Sequence, residues 1–316
     1  MATATANWGD IGSWNVSGVK DFNYAFSKHR DKKGGTESKD SNLKAVSFVG
    51  TAMSKWITTS LITLRRTFYG ADAMNSDLSG WNVANVKTLK ETFSGASKFD
   101  SDLSAWNVAK VKTLGGTFAA AHQFAGTGLD SWITTSLTTL YNTFIWGFAM
   151  NADLSGWSVA KVHTLEATFR SANKFVGTGL SSWNTAAVIS LLNTFNGASK
   201  MDADLGSWDS SAFVQMTGSF KGASSFAGIG LRRWDVAKET IMNDDTLAGT
   251  KLDDCTKKRI ASAWRSNDAF DSTGTPAKWA ALVCPSPDDS RLTNEQIILV
   301  RQRTGYTHVV KCCGGG

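Results

Sequence analysis

Few side chains in this sequence have types and spacing suited to chemistry. Its four histidines, His29, His122, His163 and His308, share no spacing. No Ser-His-Asp, Cys-His or metal-ligand pattern surrounds them, so catalytic, cofactor and metal sites are all expected to be absent. The adjacent acids Asp244-Asp245, Asp253-Asp254 and Asp288-Asp289 read as solvated loop acids, not as a general acid and base. What does recur is a column. Asp77, Asp102, Asp153 and Asp204 occupy one slot, with Ser79, Ser104 and Ser155 two places on, while Gly128, Gly179 and Gly230 fill the same slot elsewhere. A calcium ladder needs several oxygens converging on each ion, and one Asp per repeat is too thin for that. Gly126-Thr127-Gly128 runs from a predicted helix into a predicted strand, the wrong direction for a phosphate loop. The column is expected to be a row of capped turns whose exposed Asp77, Ser79, Asp102, Ser104, Asp153, Ser155 and Asp204 meet a protein partner.

Two further columns set this one in context. Trp14, Trp56, Trp81, Trp106, Trp132, Trp157, Trp183, Trp208 and Trp234 recur at steps of 25 or 26 residues after an insertion near 28–43, and a Phe follows each as far as Trp208 by twelve, as Phe93 follows Trp81. Exposed, such a Trp row would be a platform for sugars; the strictness of its spacing favours a stacked core. Thr63, Thr88, Thr113, Thr139 and Thr164 form one hydroxyl column and Thr67, Thr92, Thr117, Thr143, Thr168 and Thr194 another. On a flat surface these would suit ice binding. Four residues apart on a helix, they instead allow neighbouring repeats to approach closely.

The elements that must position these columns follow from the same beat. Val111, Leu114, Phe118 and Ala121 have helical spacing, as do Val86, Leu89, Phe93 and Ala96. Ser60, Asn85 and Ser136 stand where N-caps belong, and Gly70, Gly95, Gly197 and Gly222 where left-handed C-terminal residues belong. Asp-Leu-Ser-x-Trp reads as a short strand. The expected fold is therefore an α/β solenoid of about nine strand–turn–helix rungs of 25–26 residues, each burying its apolar stripe against its neighbours. Expected boundaries are a repeat body over 1–254 with its charged insertion at 28–43, a C-terminal helical cap over 255–284 and a tail over 285–316.

Composition agrees. The chain has 316 residues, 13 Trp, 29 Gly and only 3 Pro, a balance that excludes disorder. No apolar run approaches the length of a membrane span. The net charge of +6 lies in the insertion and the C-terminal region, leaving the repeat body near neutral, so no nucleic-acid partner is expected. The N-terminus lacks a signal-peptide pattern.

Asp77-Leu-Ser-Gly-Trp-Asn-Val-Ala-Asn-Val-Lys-Thr-Leu89 with Thr92-Phe-Ser-Gly-Ala-Ser-Lys-Phe99 resembles the BspA-like, lipoprotein-associated repeat, a divergent leucine-rich repeat of mycoplasma surface proteins and of algal and protist proteins. The resemblance covers roughly 10–284. Asp254 to Trp264, with Trp279 and Cys284, is similar to the segment that closes such arrays in algae. The resemblance implies cell-surface display, adhesion and protein contact, and no enzyme. The family's lipoprotein Cys is missing, and the compartment stays open between the cell surface, a processed mature form and the cell interior.

Cys255 and Cys284 are candidates for a disulfide closing the cap, worth on the order of 3 kcal/mol, or for thiols in a reducing compartment. Cys312-Cys313 ends the chain near Gly314, where a frayed terminus is expected. Thr293–Arg303 reads as an amphipathic helix that docks on the last rung or on a partner. The functional expectation is a non-enzymatic protein–protein module, adhesion or scaffold in type. Its alternatives are a permanent subunit of a large assembly and a Thr-array ice-surface protein. A small-molecule substrate is not expected.

Overall fold

The computed structural model describes residues 10–30, 42–237, 239–272, 274–282 and 284. The repeats stack in register, but not as strand–turn–helix units. Between residues 10 and 253 the described residues contain short 3-10 turns and isolated bridges and no α-helix. The expected helix in each rung is wrong, and so is the strand assigned to Asp-Leu-Ser-x-Trp.

The repeat around Phe93 shows why. Glu91 and Gly95 sit at φ 56° and 71°, left-handed values that no right-handed helix accommodates. The amides of Leu89, Glu91, Phe93 and Gly95 do not bond back four residues. They donate sideways to the carbonyls of Thr113, Gly115, Thr117 and Ala119 in the next repeat, at 3.2, 2.9, 2.9 and 2.7 Å. The intervening amides close tight turns within the repeat, Thr92 to Leu89, Ala96 to Phe93 and Phe99 to Ala96. Buried residues thus recur every three or four positions because the chain bends around a core at that interval. The ladder runs through the Thr63 column, with parallel bridges joining Thr63 to Thr88, Thr88 to Thr113 and Thr113 to Thr139. Ser60, Asn85 and Ser136 therefore cap no helix; Ser136 donates across to Ala109 O and Asn85 accepts from Lys110. Gly70, Gly95, Gly197 and Gly222 are left-handed as expected, but inside the ladder.

The core is one continuous cluster. Phe26, Phe68, Phe93, Phe118, Phe144, Phe169, Phe195 and Phe220 stack with ring centres 5.5 to 5.7 Å apart. Trp56, Trp81, Trp106, Trp132, Trp157, Trp183, Trp208 and Trp234 are buried beside them, whereas Trp14 at the start of the column is exposed; from Trp56 onward the column is core and not a sugar platform. Each indole N–H is satisfied by a carbonyl of the preceding repeat, as from Trp106 to Leu78 O at 3.0 Å and from Trp132 to Leu103 O at 3.1 Å.

Among the described residues three helices follow the repeats: α1 (Asp254–Ala263), α2 (Asp268–Ser272) and α3 (Thr275–Ala280). Asp253 caps α1, its carboxylate accepting the Thr256 amide at 2.6 Å. Trp264, just past α1, stacks on Trp234 at 6.3 Å and donates to Leu231 O at 3.2 Å. It thereby takes the place of a tenth indole in the column. Cys255 is buried and Cys284 half-buried, and no disulfide joins the two in this structure. His308, Asp288-Asp289, the Thr293–Arg303 segment and Cys312-Cys313 lie outside the described residues, as does most of the 28–43 insertion.

Candidate functional site

Asp77, Asp102, Asp153 and Asp204 are all exposed, as are Ser79, Ser104 and Ser155. Each carboxylate closes the same turn. Oδ1 of Asp77, Asp102 and Asp153 accepts the amide of Ser79, Ser104 and Ser155 at 2.9, 2.8 and 2.8 Å, and Asp204 accepts that of Gly206 at 2.8 Å. The side chain thus substitutes for a backbone acceptor in a tight turn. Hydrogen bonds from the Ser79 hydroxyl and amide hold the Asp77 carboxyl below the usual carboxylate range. Asp209, which accepts from both groups of Ser211, is lowered in the same way.

The alternation of Asp with Gly also has a packing cause. Gly128 has φ 85°, and a Cβ there would lie 2.1 Å from Ser104 N and 2.7 Å from Asp102 Oδ1. Gly179 and Gly230 meet Ser155 N and Gly206 N equally closely. The Gly repeat nests against the Asp turn of the repeat before it. The acidic column is consequently not on the bridged ladder, as the sequence-based strand assignment would place it, but at a different edge of each repeat.

The two Thr columns do not share a face. Thr67, Thr92, Thr117, Thr143, Thr168 and Thr194 are fully buried. The Thr92 hydroxyl shares its proton between Leu64 O at 2.9 Å and Leu89 O at 2.8 Å, and Thr117 does so between Leu89 O and Leu114 O. The back-bond reaches three residues, not four, because the turn is not helical. The other column is half-buried, its hydroxyls accepting amides two residues on, as Thr113 does from Gly115 at 3.0 Å. Among the described residues these columns form no exposed double array of Thr for an ice surface.

Sequence reasoning missed the exposed apolar groups. Ile189, Val214 and Ile241 lie on three successive repeats, joined by Val214 N to Ile189 O and Ile241 N to Val214 O at 2.8 Å each, and are roughly half exposed. Their slot holds Ile62, Lys87 and Lys112 earlier in the chain; the change of residue type along it was the available signal. Trp146, Phe148 and Tyr141 are also exposed, with Phe148 stacked on His122 at 4.8 Å. Among the described residues no three His, Cys, Asp or Glu groups converge as a metal site, and no helix is long and apolar enough to cross a membrane.

Stacked 25–26-residue turns, cross-bonded from one to the next around shared Phe and Trp columns, define a repeat protein. Its family is the one described as Mycoplasma protein of unknown function, DUF285, which matches residues 1–38, 37–157 and 138–255; the chain belongs to it. No curated protein and no solved structure matches the chain.

Proposed function

We propose that this chain is a non-enzymatic protein-contact module of adhesion or scaffold type, a divergent leucine-rich-repeat-like solenoid of the BspA-like kind. Its binding surface is the acidic column Asp77, Ser79, Asp102, Ser104, Asp153, Ser155 and Asp204. The observation that supports this reading is the common geometry of four exposed carboxylates, each fixed by the same turn bond. Fixed groups lose little conformational freedom on binding. The test separates charge from turn capping. Asn at Asp77, Asp102, Asp153 and Asp204 keeps an acceptor for each turn and removes the charge, whereas Lys reverses it. Proteins co-isolated from the native source should be lost with both variants while the unfolding midpoint of the Asn variant stays near the parent's. Retention of every partner by the Lys variant refutes the reading.

A second reading, a permanent subunit of a large assembly, is favoured by Ile189, Val214 and Ile241, since contiguous exposed apolar side chains mark contact surfaces. A chain that stays soluble and monomeric when purified alone argues against it. Replacing the three by Thr should improve solubility if it holds.

A further inference from the structure

The ladder gives the two ends of the stack opposite chemistry. Amides on either side of each ladder segment, such as Lys87 to Ile62 O before it and Lys98 to Asp72 O after it, donate to the preceding repeat. Within the segments, from Phe22 to Gly222, the ladder amides donate forward, to a carbonyl of the following repeat; Phe22 donates to Thr63 O, Leu64 to Thr88 O, and Leu191 to Gln215 O. Over this stretch the first repeat therefore ends in carbonyls and the last in amides. At the first end two carbonyls are covered: Arg30 Nη1 donates to Ala25 O at 2.6 Å and Asn42 Nδ2 to Ser27 O at 3.1 Å. At the other end, the amides of Met216, Phe220 and Gly222 reach Ile241 O, Thr246 O and Ala248 O at 2.7, 2.9 and 2.7 Å. The matching amides of the last repeat, on Met242, Leu247 and Gly249, have no acceptor among the described residues. Met242 and Leu247 line a cleft of about 190 Å³ together with Trp264, Phe270 and Trp279, with the exposed Asp244 among its residues and Gly249 just beyond Ala248 at its edge.

We propose that this cleft is a docking site for an extended peptide segment of a partner protein, which adds its main chain to the ladder as the next strand, with alternating apolar and basic side chains. A row of backbone donors without acceptors is a template for a further chain. The acceptors it needs are carbonyls spaced as those of the last repeat are spaced for the one before it, which an extended chain supplies. Apolar side chains fill the aromatic cleft, and basic ones face Asp244, whose neighbour Asp245 is already paired with Lys221 at 2.8 Å. A second copy of this chain is the poorer occupant. Like ends would set donors against donors, and a head-to-tail copy would bring a carbonyl edge on which Arg30 and Asn42 already occupy two positions. The inference uses neither the acidic column nor its partner, and it stands if charge reversal there changes nothing.

The test is residue-resolved amide hydrogen exchange on the full chain, with an acetylated, amidated octapeptide of alternating Leu and Lys as the probe. In the free chain Met242, Leu247 and Gly249 should exchange about a hundredfold faster than Met216, Phe220 and Gly222. Saturating peptide should slow the three by about tenfold or more, and Trp279→Ala should weaken peptide binding by about tenfold with protection at Met216 and Phe220 unchanged. An octapeptide of alternating Leu and Glu should bind more weakly at low salt. Slow exchange at the three amides in the free chain would mean that the chain's own tail or a second copy already covers the edge, and it overturns the proposal. So does peptide that leaves their exchange unaltered.

Discussion

Replacing Gly128 by Ala should be among the most damaging one-methyl changes available in the repeat body. The added Cβ meets backbone, Ser104 N at 2.1 Å and Leu103 C at 2.7 Å, where ordinary contact begins at 3.4 Å. Neither atom can rotate away, so the repeat must move as a body. The inter-repeat bond beside it, Leu103 N to Thr127 O at 3.2 Å, has no length to spare. Holding Ala at φ 85° costs roughly 1–2 kcal/mol, from which the lower entropy of the unfolded Ala chain recovers about 0.4–1 kcal/mol. Overpacking adds roughly 1–3 kcal/mol, and loss of the neighbouring hydrogen bond about 1 kcal/mol. The total is about 2–6 kcal/mol, with a midpoint of about 4. Gly274 is the control: it has φ 68°, and a methyl group added there would meet nothing within 4 Å, so its Ala variant should cost about 1 kcal/mol. Urea unfolding followed by tryptophan fluorescence measures both. A nearest-neighbour stack broken at one repeat is also expected to unfold in two steps, where the parent unfolds in one. Equal costs for the two variants, within about 1 kcal/mol, would refute the nesting of Gly repeats on Asp turns.

Thr117→Val should destabilise by about 1 kcal/mol: the shape is kept, and both carbonyls the hydroxyl served retain donors, Leu89 O from Thr92 and Leu114 O from the Thr117 amide and Thr143; Thr117→Ala adds a cavity and should cost more in the same urea assay. Asp77 and Asp209 have folded values depressed by their Ser partners, so the stability they contribute is present above the unfolded value near 3.8 and is lost as pH falls through the folded one; NMR titration should find both carboxylates still ionised where an unperturbed Asp is half protonated, and Ser79→Ala should return Asp77 toward its ordinary value.

The repeat length and the buried columns were legible because a core position must recur with each repeat: Trp106, Phe118 and Val111 are placed by spacing alone. The local backbone was not. A chain wound around a core by successive three-residue turns buries Leu89, Phe93 and Ala96 at the same intervals as an amphipathic helix, so periodicity cannot separate the two. The residues that decide the matter are the left-handed ones, and many of them, Glu91, Ala120, Asn142 and Ala167 among them, are not glycine. Their side chains carry no mark of it. The Asp/Gly slot was visible as a pattern, whereas its cause, the close approach of Gly128 to the Ser104 turn, is a contact between repeats that no single repeat encodes.

The ends of the stack follow from its polarity. Along the forward-donating stretch every interior repeat satisfies one neighbour with ladder amides and the other with ladder carbonyls, so a terminal repeat lacks one partner and the two termini lack different ones. A carbonyl edge can be closed by side-chain donors, and the charged insertion provides them in Arg30 and Asn42. The indole column can be closed from a helix, since it needs one ring and one N–H; Trp264 supplies both. An amide edge needs a row of acceptors at main-chain spacing, which neither device provides. The cap closes the core at Trp264 and leaves the last ladder amides beside a cleft, which is why partner contact at this end is expected to be made by main chain.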